Sequence, residues 1–152
     1  MTTPTTLKEQ SSKDEAAIQA LIEAGHRAHH TKDAAAIVAQ YTADAIVFDL
    51  APPLSRRGMN LQELKAWFDT WEGPVEREAR DFRITVSGDV AFAHGFYRVS
   101  ATTKSGGERA IFWMRATMCL LRNGDTWRIT HEHTSVPFYM DGSFRAAVDL
   151  EP

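Results

Sequence analysis

Cysteine is almost missing from this chain: Cys119 is the only one in 152 residues, so no intrachain disulfide can staple the fold. That usage suits a reducing compartment, and Cys119, set in an apolar strand pattern, reads as a small buried core residue. No stretch approaches the roughly 18 consecutive apolar residues of a membrane span. The start, Met1-Thr2-Thr3-Pro4-Thr5-Thr6, also lacks the basic residues and apolar run of a secretory signal. A soluble, cytoplasmic protein with no membrane partner is the expectation. Charge of one sign is not in excess either. The 17 Lys and Arg stand against 20 Asp and Glu for a formal charge of −3, and they are scattered, which argues against nucleic acid as a partner. Internal repeats and low-complexity segments are absent, and the length fits a single domain with a real core.

What is present is a switch of period along the chain. Residues 1–12, rich in Thr and Ser, read as a disordered leader. Ser12 and Glu15 form a capping box, after which Ile18, Leu21, Ile22, Gly25 and His29 recur at helical spacing over about five turns. Asp33 can cap a short second helix, Ala34 to Tyr41, and the run Ala45-Ile46-Val47-Phe48-Asp49 then reads as a strand that stops at Pro52-Pro53. Asn60 and Glu63 open a third helix carrying Leu61, Leu64, Trp67, Phe68 and Trp71, closed by Gly73-Pro74. Beyond it lie only strands and turns: Val75–Ser87, Val90–Thr103, Glu108–Leu121 and Thr126–Phe138, separated at Gly88-Asp89, Ser105-Gly106-Gly107 and Asn123-Gly124. Laid flat, the third of these would span ~46 Å, so the sheet must twist and bend. The layout is α+β: one domain over 13–140, with a C-terminal tail from 141 to 152.

The last strand is the most informative. In Trp127-Arg128-Ile129-Thr130-His131-Glu132-His133-Thr134-Ser135, strict alternation puts Trp127, Ile129, His131 and His133 on one face and Arg128, Thr130, Glu132 and Thr134 on the other. Neither face is plainly apolar or plainly solvated. Such a strand borders a pocket, a metal or a partner subunit.

Three helices, a short strand bearing an Asp, and four long strands resemble the nuclear transport factor 2-like superfamily, whose members include ketosteroid isomerase, SnoaL-type polyketide cyclases and the kinase association domain. Two segments carry the resemblance, which spans about 13–138: Asp33-Ala34-Ala35-Ala36-Ile37-Val38-Ala39-Gln40-Tyr41-Thr42-Ala43-Asp44-Ala45-Ile46-Val47-Phe48-Asp49, and the final Trp-x-Ile-x-His-x-His-x-Ser pattern. It implies a cone-shaped, curved antiparallel sheet covered by three N-terminal helices, a hydrophobic pocket and no cofactor. By position, Asp49 falls where ketosteroid isomerase holds its base. The isomerase's two oxyanion donors fall near Gly25 and Met118, so steroid isomerisation is not expected. The resemblance also points His94, Phe96, Arg98, Thr130, Glu132 and Thr134 into the cone. Trp127, Ile129, His131 and His133 then lie on the outer face, where these folds often pair into homodimers. Hydrophobicity alone favours the opposite, with Trp127 and Ile129 in the core.

The chemistry follows from those positions. Asp49, in an apolar context, reads either as a general base with a raised pKa or as a cap on the following turn. His94 reads as an orienting or proton-shuttling partner or as a core histidine, and Arg98 with Glu132 as an anion clamp or an internal salt bridge. Trp67, Phe96, Met118 and Thr134 complete the ligand-binding set. His131 and His133 could chelate a metal, but no third ligand follows, and they read instead as interface residues beside Trp127. His26, His29 and His30 read as residues compatible with a helix C-terminus. Two functions therefore stand. One is a pocket protein for a small organic molecule, a cofactor-independent isomerase, cyclase or hydratase with Asp49 as base. The other is a non-catalytic ligand-binding or homo-oligomerisation module.

Overall fold

The computed structural model describes residues 4–152, with side-chain burial described from residue 7 onward. Helix α1 runs Pro4–His30, α2 Ala34–Val38 and α3 Leu61–Phe68; the strands are β1 Tyr41–Phe48, β2 Arg56–Arg57, β3 Trp71–Ser87, β4 Val90–Thr103, β5 Arg109–Asn123 and β6 Thr126–Ser135. They form one six-stranded sheet in the order β2-β1-β6-β5-β4-β3, with the helices against its inner face. The α+β layout holds, but the sheet is mixed rather than wholly antiparallel: β1 lies parallel to β6, because α3 and three long strands intervene before the chain returns beside it. The sheet curves without closing, so β2 and β3 remain edges.

Several boundaries differ from the sequence reading for identifiable reasons. Residues 4–12, expected in a loose leader, belong to α1; Pro is tolerated in a first turn, and Leu7-Lys8-Glu9-Gln10 favour helix, so Ser12 is interior rather than a cap. Residues 1–3 lie outside the described residues. Asp33 caps α2 through the Ala36 N–H at 3.0 Å, and Asn60 caps α3 through the N–H groups of Gln62 and Glu63. Helix α3, however, ends at Phe68, and Trp71 opens β3. Pro74 can sit inside that strand because β3 is an edge, with the register shifting between Glu72 and Glu76. The tail is tied back: Ala147 N–H donates to the Pro137 carbonyl at 2.8 Å, and Ala147 is buried.

Two β-bulges decide which residues face inward. On β6, Ile129 pairs with Leu120 and His131 with Cys119, so Thr130 is an extra residue and the alternation reverses there. Trp127 and Ile129 before it, and Glu132 and Thr134 after it, are therefore all buried on the inner face. On β3, Arg80 pairs with Phe96 and Arg83 with His94, leaving one extra residue, with Asp81 at φ 55°. Val75 and Arg77 face inward before that bulge and Phe82, Ile84 and Val86 after it. Phe82 stacks on Tyr97 at 4.9 Å directly over Gly95, where an added Cβ would lie 2.9 Å from the Phe82 Cα. Only glycine admits that approach.

The core has two parts. Ile18 and Ile22 of α1 pack on Tyr97, Met114, Met118, Leu120, Trp127 and Ile129, while Ala28, Ile37, Phe68 and Val75 form a second cluster beneath α2 and α3. The cavity described next opens beside this second cluster.

Candidate functional site

A cavity of about 340 Å³ lies between α2, α3 and the inner face of the sheet. That is at the small end of the ~300–1,000 Å³ range of small-molecule sites. Its walls are apolar, including Val47, Met59, Leu64, Trp67, Phe112 and Met114. Polar groups gather at two ends. Asp49 and Asn60 stand where exposed residues line the opening, and His29, Tyr41, Arg77, Glu132 and Thr134 line the interior.

The interior group is an ordered electrostatic arrangement. His29 Nδ1 lies 2.7 Å from the Gly25 carbonyl, so that nitrogen carries the proton and donates, leaving the Nε2 lone pair to accept from Arg77 Nη1 at 3.0 Å. Burial first, and the Arg77 charge second, hold the His29 pKa at about 3, which keeps the ring in the neutral form this pattern needs. His26, in T-shaped contact with Tyr97, is lowered to about 4 for the same two reasons. The Arg77 guanidinium lies over the Tyr97 ring at 4.1 Å, a cation–π contact. Burial raises the Glu132 pKa, against the opposing pull of Arg77 and of a hydrogen bond with Tyr41, while the Asp49 charge pushes it further up. Burial likewise holds the Tyr41 phenol protonated.

Among the expected site residues, Asp49, Trp67, Glu132 and Thr134 line this cavity. Asp49 is exposed rather than enclosed, and its Oδ1 accepts the Leu50 N–H at 2.7 Å, so the turn-cap reading of this residue is realised at the cavity mouth. His94, Phe96 and Arg98 are not in the cavity. The inner positions of β4 are the odd ones, Ala91, Ala93, Tyr97, Val99 and Ala101, and His94 lies exposed on the outer face in a stack with Phe92. Met118 is buried in the core and lines only a narrow crevice beside the cavity, together with His26 and Tyr97. Trp127 is inside, not at an outer interface, and gives its indole N–H to Asp14 at 3.2 Å. His131 and His133 do lie outward, each edge-on to Phe48, and His131 Nδ1 is 2.7 Å from the Ile46 carbonyl. Among the described residues, no group of three or more His, Cys, Asp or Glu is placed to hold a metal ion. No described helix is long and apolar enough to cross a membrane.

The profile of the SnoaL-like domain matches residues 18–139. The chain belongs to this family. Among solved structures, this SnoaL-like chain is similar to an NTF2-like protein of unknown function from Pseudomonas putida KT2440, at 30% identity and a TM-score of 0.81, over 93% of this chain and 99% of that one. It shares the fold of a protein from Streptomyces avermitilis provisionally described as a dehydratase of the NTF2-like family, at 16% identity and a TM-score of 0.72, over 82% of this chain and 97% of that one. A type 2 hexachlorocyclohexane dehydrochlorinase has the same fold at 14% identity and a TM-score of 0.71, covering 92% and 94% respectively. No sequence match was found among curated proteins.

Arg77, His29 and Tyr41 are among the polar cavity residues of this SnoaL-like chain that sequence reasoning missed. His29 carried a signal, since it stands on the same helical stripe as Ile18, Ile22 and Gly25, all buried. Arg77 carried none: in Glu76-Arg77-Glu78-Ala79-Arg80-Asp81 it looks like one charge in a solvated run.

Proposed function

We propose that the cavity binds a small organic molecule and transforms it by cofactor-independent proton transfer, with Asp49 as the base. The observation that supports this most is the placement of two carboxyl groups in unlike settings around one apolar chamber. Asp49 is in solvent at the mouth, while Glu132 inside is pushed toward its protonated form by burial. Environments that separate two carboxyl groups in this way suit one to take a proton and the other to donate a hydrogen bond. In the proposed step the Asp49 carboxylate removes a proton from carbon next to a carbonyl, and the carbonyl oxygen gathers the charge while facing the Glu132 O–H. Reprotonation at another carbon would give an isomerase, and expulsion of a leaving group a lyase. The dehydratase and dehydrochlorinase names of structural neighbours are of this reaction type. For any substrate found by screening, Asp49→Asn should lower kcat by at least about a hundredfold while binding persists, given what a positioned base contributes. Unchanged turnover in that variant would remove the mechanism and leave the non-catalytic binding module.

We also infer a homodimer through the outer face of the sheet. Val90, Phe92, Ile111 and Leu121 are 42–54% exposed there, and covering the remainder of each gives roughly half of the ~1.5–3 kcal/mol of a full burial. The burial of Trp127 takes that residue out of the proposed contact, whereas His131 and His133 lie outward against Phe48. Sedimentation should give a dimer at micromolar concentration. A monomer at that concentration would end the dimer reading.

A further inference from the structure

Glu132 and Thr134 are the buried polar side chains of β6, and both line the chamber. Their cross-strand neighbours are apolar: Glu132 stands between Met118 of β5 and Val47 of β1, and Thr134 is opposite Ala116. None of these can take or give a side-chain hydrogen bond. Thr134 Oγ1 has no hydrogen-bond partner among the described residues, yet it is not one of the unpartnered atoms closed off from any probe, which belong to His26, Thr42, Trp71 and Arg77. The hydroxyl therefore keeps surface toward the chamber. At Glu132, the Tyr41 O–H bonds to the carboxyl group, so one carboxyl oxygen is engaged and the other is left to face the chamber.

The two groups are spaced to meet one atom. Alternate residues of a strand project on the same side about 6.6–6.8 Å apart. An oxygen accepting two hydrogen bonds of ~2.7–2.8 Å bridges donors up to ~5.5 Å apart, and the longer Glu132 side chain closes the remainder. Strand β1 ends at Phe48, opposite His133, so Asp49 stands one residue on, at the level of Thr134. The base and the two donors thus border the same part of the chamber. Resting on the proton-transfer reading above, we propose that Thr134 is a further catalytic residue, whose hydroxyl donates with the Glu132 carboxyl to the carbonyl oxygen of an enolisable ketone or aldehyde. As Asp49 takes the proton, the C–H electron pair becomes the carbon–carbon double bond and the carbonyl pair moves onto oxygen. Thr134 keeps its own proton and its hydrogen bond strengthens as that charge develops.

The probe is para-nitrophenol, because its phenolate carries an oxygen charged like that of the enolate and its two protonation states differ in colour. The control is para-nitrotoluene, a ring of similar size without the oxygen. The protein should favour the phenolate, lowering the pKa of bound para-nitrophenol by about one unit, a tenfold preference for the anion. Thr134→Val keeps the shape and removes the hydroxyl; it should weaken phenolate about tenfold and para-nitrotoluene less than about twofold. Thr134→Ser restores a hydroxyl and should bind phenolate within about threefold of wild type. Asp49→Asn removes no donor to the oxygen and should bind phenolate no more weakly, so failure of the base and failure of the donor pair are read separately. Phenolate affinity unmoved by Thr134→Val, or para-nitrophenol bound only as the neutral phenol, overturns this inference while leaving the cavity and its base standing. Exclusion of both probes overturns it together with the ligand-site reading.

Discussion

Between pH 7 and pH 4.5 the protein should lose about 2–3 kcal/mol of folding stability that a His29→Gln variant keeps. His29 has a folded pKa of about 3 against 6.5 when unfolded, chiefly from burial and then from Arg77. Its pKa is depressed on folding, so below 6.5 the unfolded chain takes up a proton that the folded chain refuses. The penalty grows as pH falls and levels off only near the folded value. At about 1.36 kcal/mol per unit, two units correspond to ~2.7 kcal/mol. Glu132 acts in the opposite direction, since its raised pKa makes the folded state weaker as pH rises above 4.5. The comparison with His29→Gln removes that background, because Glu132 is present in both proteins. Urea unfolding at the two pH values measures the difference, and parallel pH profiles would show that His29 is not held neutral by its surroundings.

Replacing Asp14 by Ala should cost about 2–4 kcal/mol, at a site far in sequence from any cavity residue. Asp14 is 5% exposed and accepts from Arg122 Nη1 at 2.7 Å, Trp127 Nε1 at 3.2 Å and Gln10 Nε2 at 3.2 Å. Arg122 is held in turn by Asp89 at 2.9 Å, so α1, the β3–β4 turn and the β5–β6 hairpin meet at one carboxylate. Truncation strands the buried Trp127 N–H and loses a charge-assisted bond. Asp14→Asn keeps an oxygen acceptor and should cost roughly half as much. The consequence reaches function because the other end of the same helix sets Gly25 and His29 beneath Arg77. A loss below about 1 kcal/mol in Asp14→Ala by urea unfolding would mean the clamp contributes little.

The fold was legible where local chemistry is strong and blurred where it depends on pairing. Asn123-Gly124 and Gly88-Asp89 marked their hairpins, and Asp33 and Asn60 marked their helices, because each acts within a few residues of itself. The inward face of β6 was not decidable from alternation, since both candidate registers were half right. The Thr130 bulge lets Trp127 and Ile129 share a side with Glu132 and Thr134, and nothing in Ile129-Thr130-His131 announces an extra residue. On β4 the buried side is set by Ala91, Ala93 and Ala101, small residues that carry little hydrophobic signal, so nothing in the strand's pattern opposed the resemblance that pointed His94 and Arg98 inward. Asp49 stands just beyond β1, a short strand whose β-branched run is plain in the sequence, and lines the cavity mouth.

The most direct test of the central claim, that this chamber is a working small-molecule site, is native mass spectrometry of the protein after incubation with a metabolite extract. Alongside it runs Val47→Trp, which fills the chamber from its wall. A small molecule should be retained by the wild-type protein and be absent from Val47→Trp. A retained mass that is chemically altered supports catalysis, and an unaltered one supports binding alone. No retained molecule in the wild type, or equal retention by Val47→Trp, would mean that the chamber is not a small-molecule site.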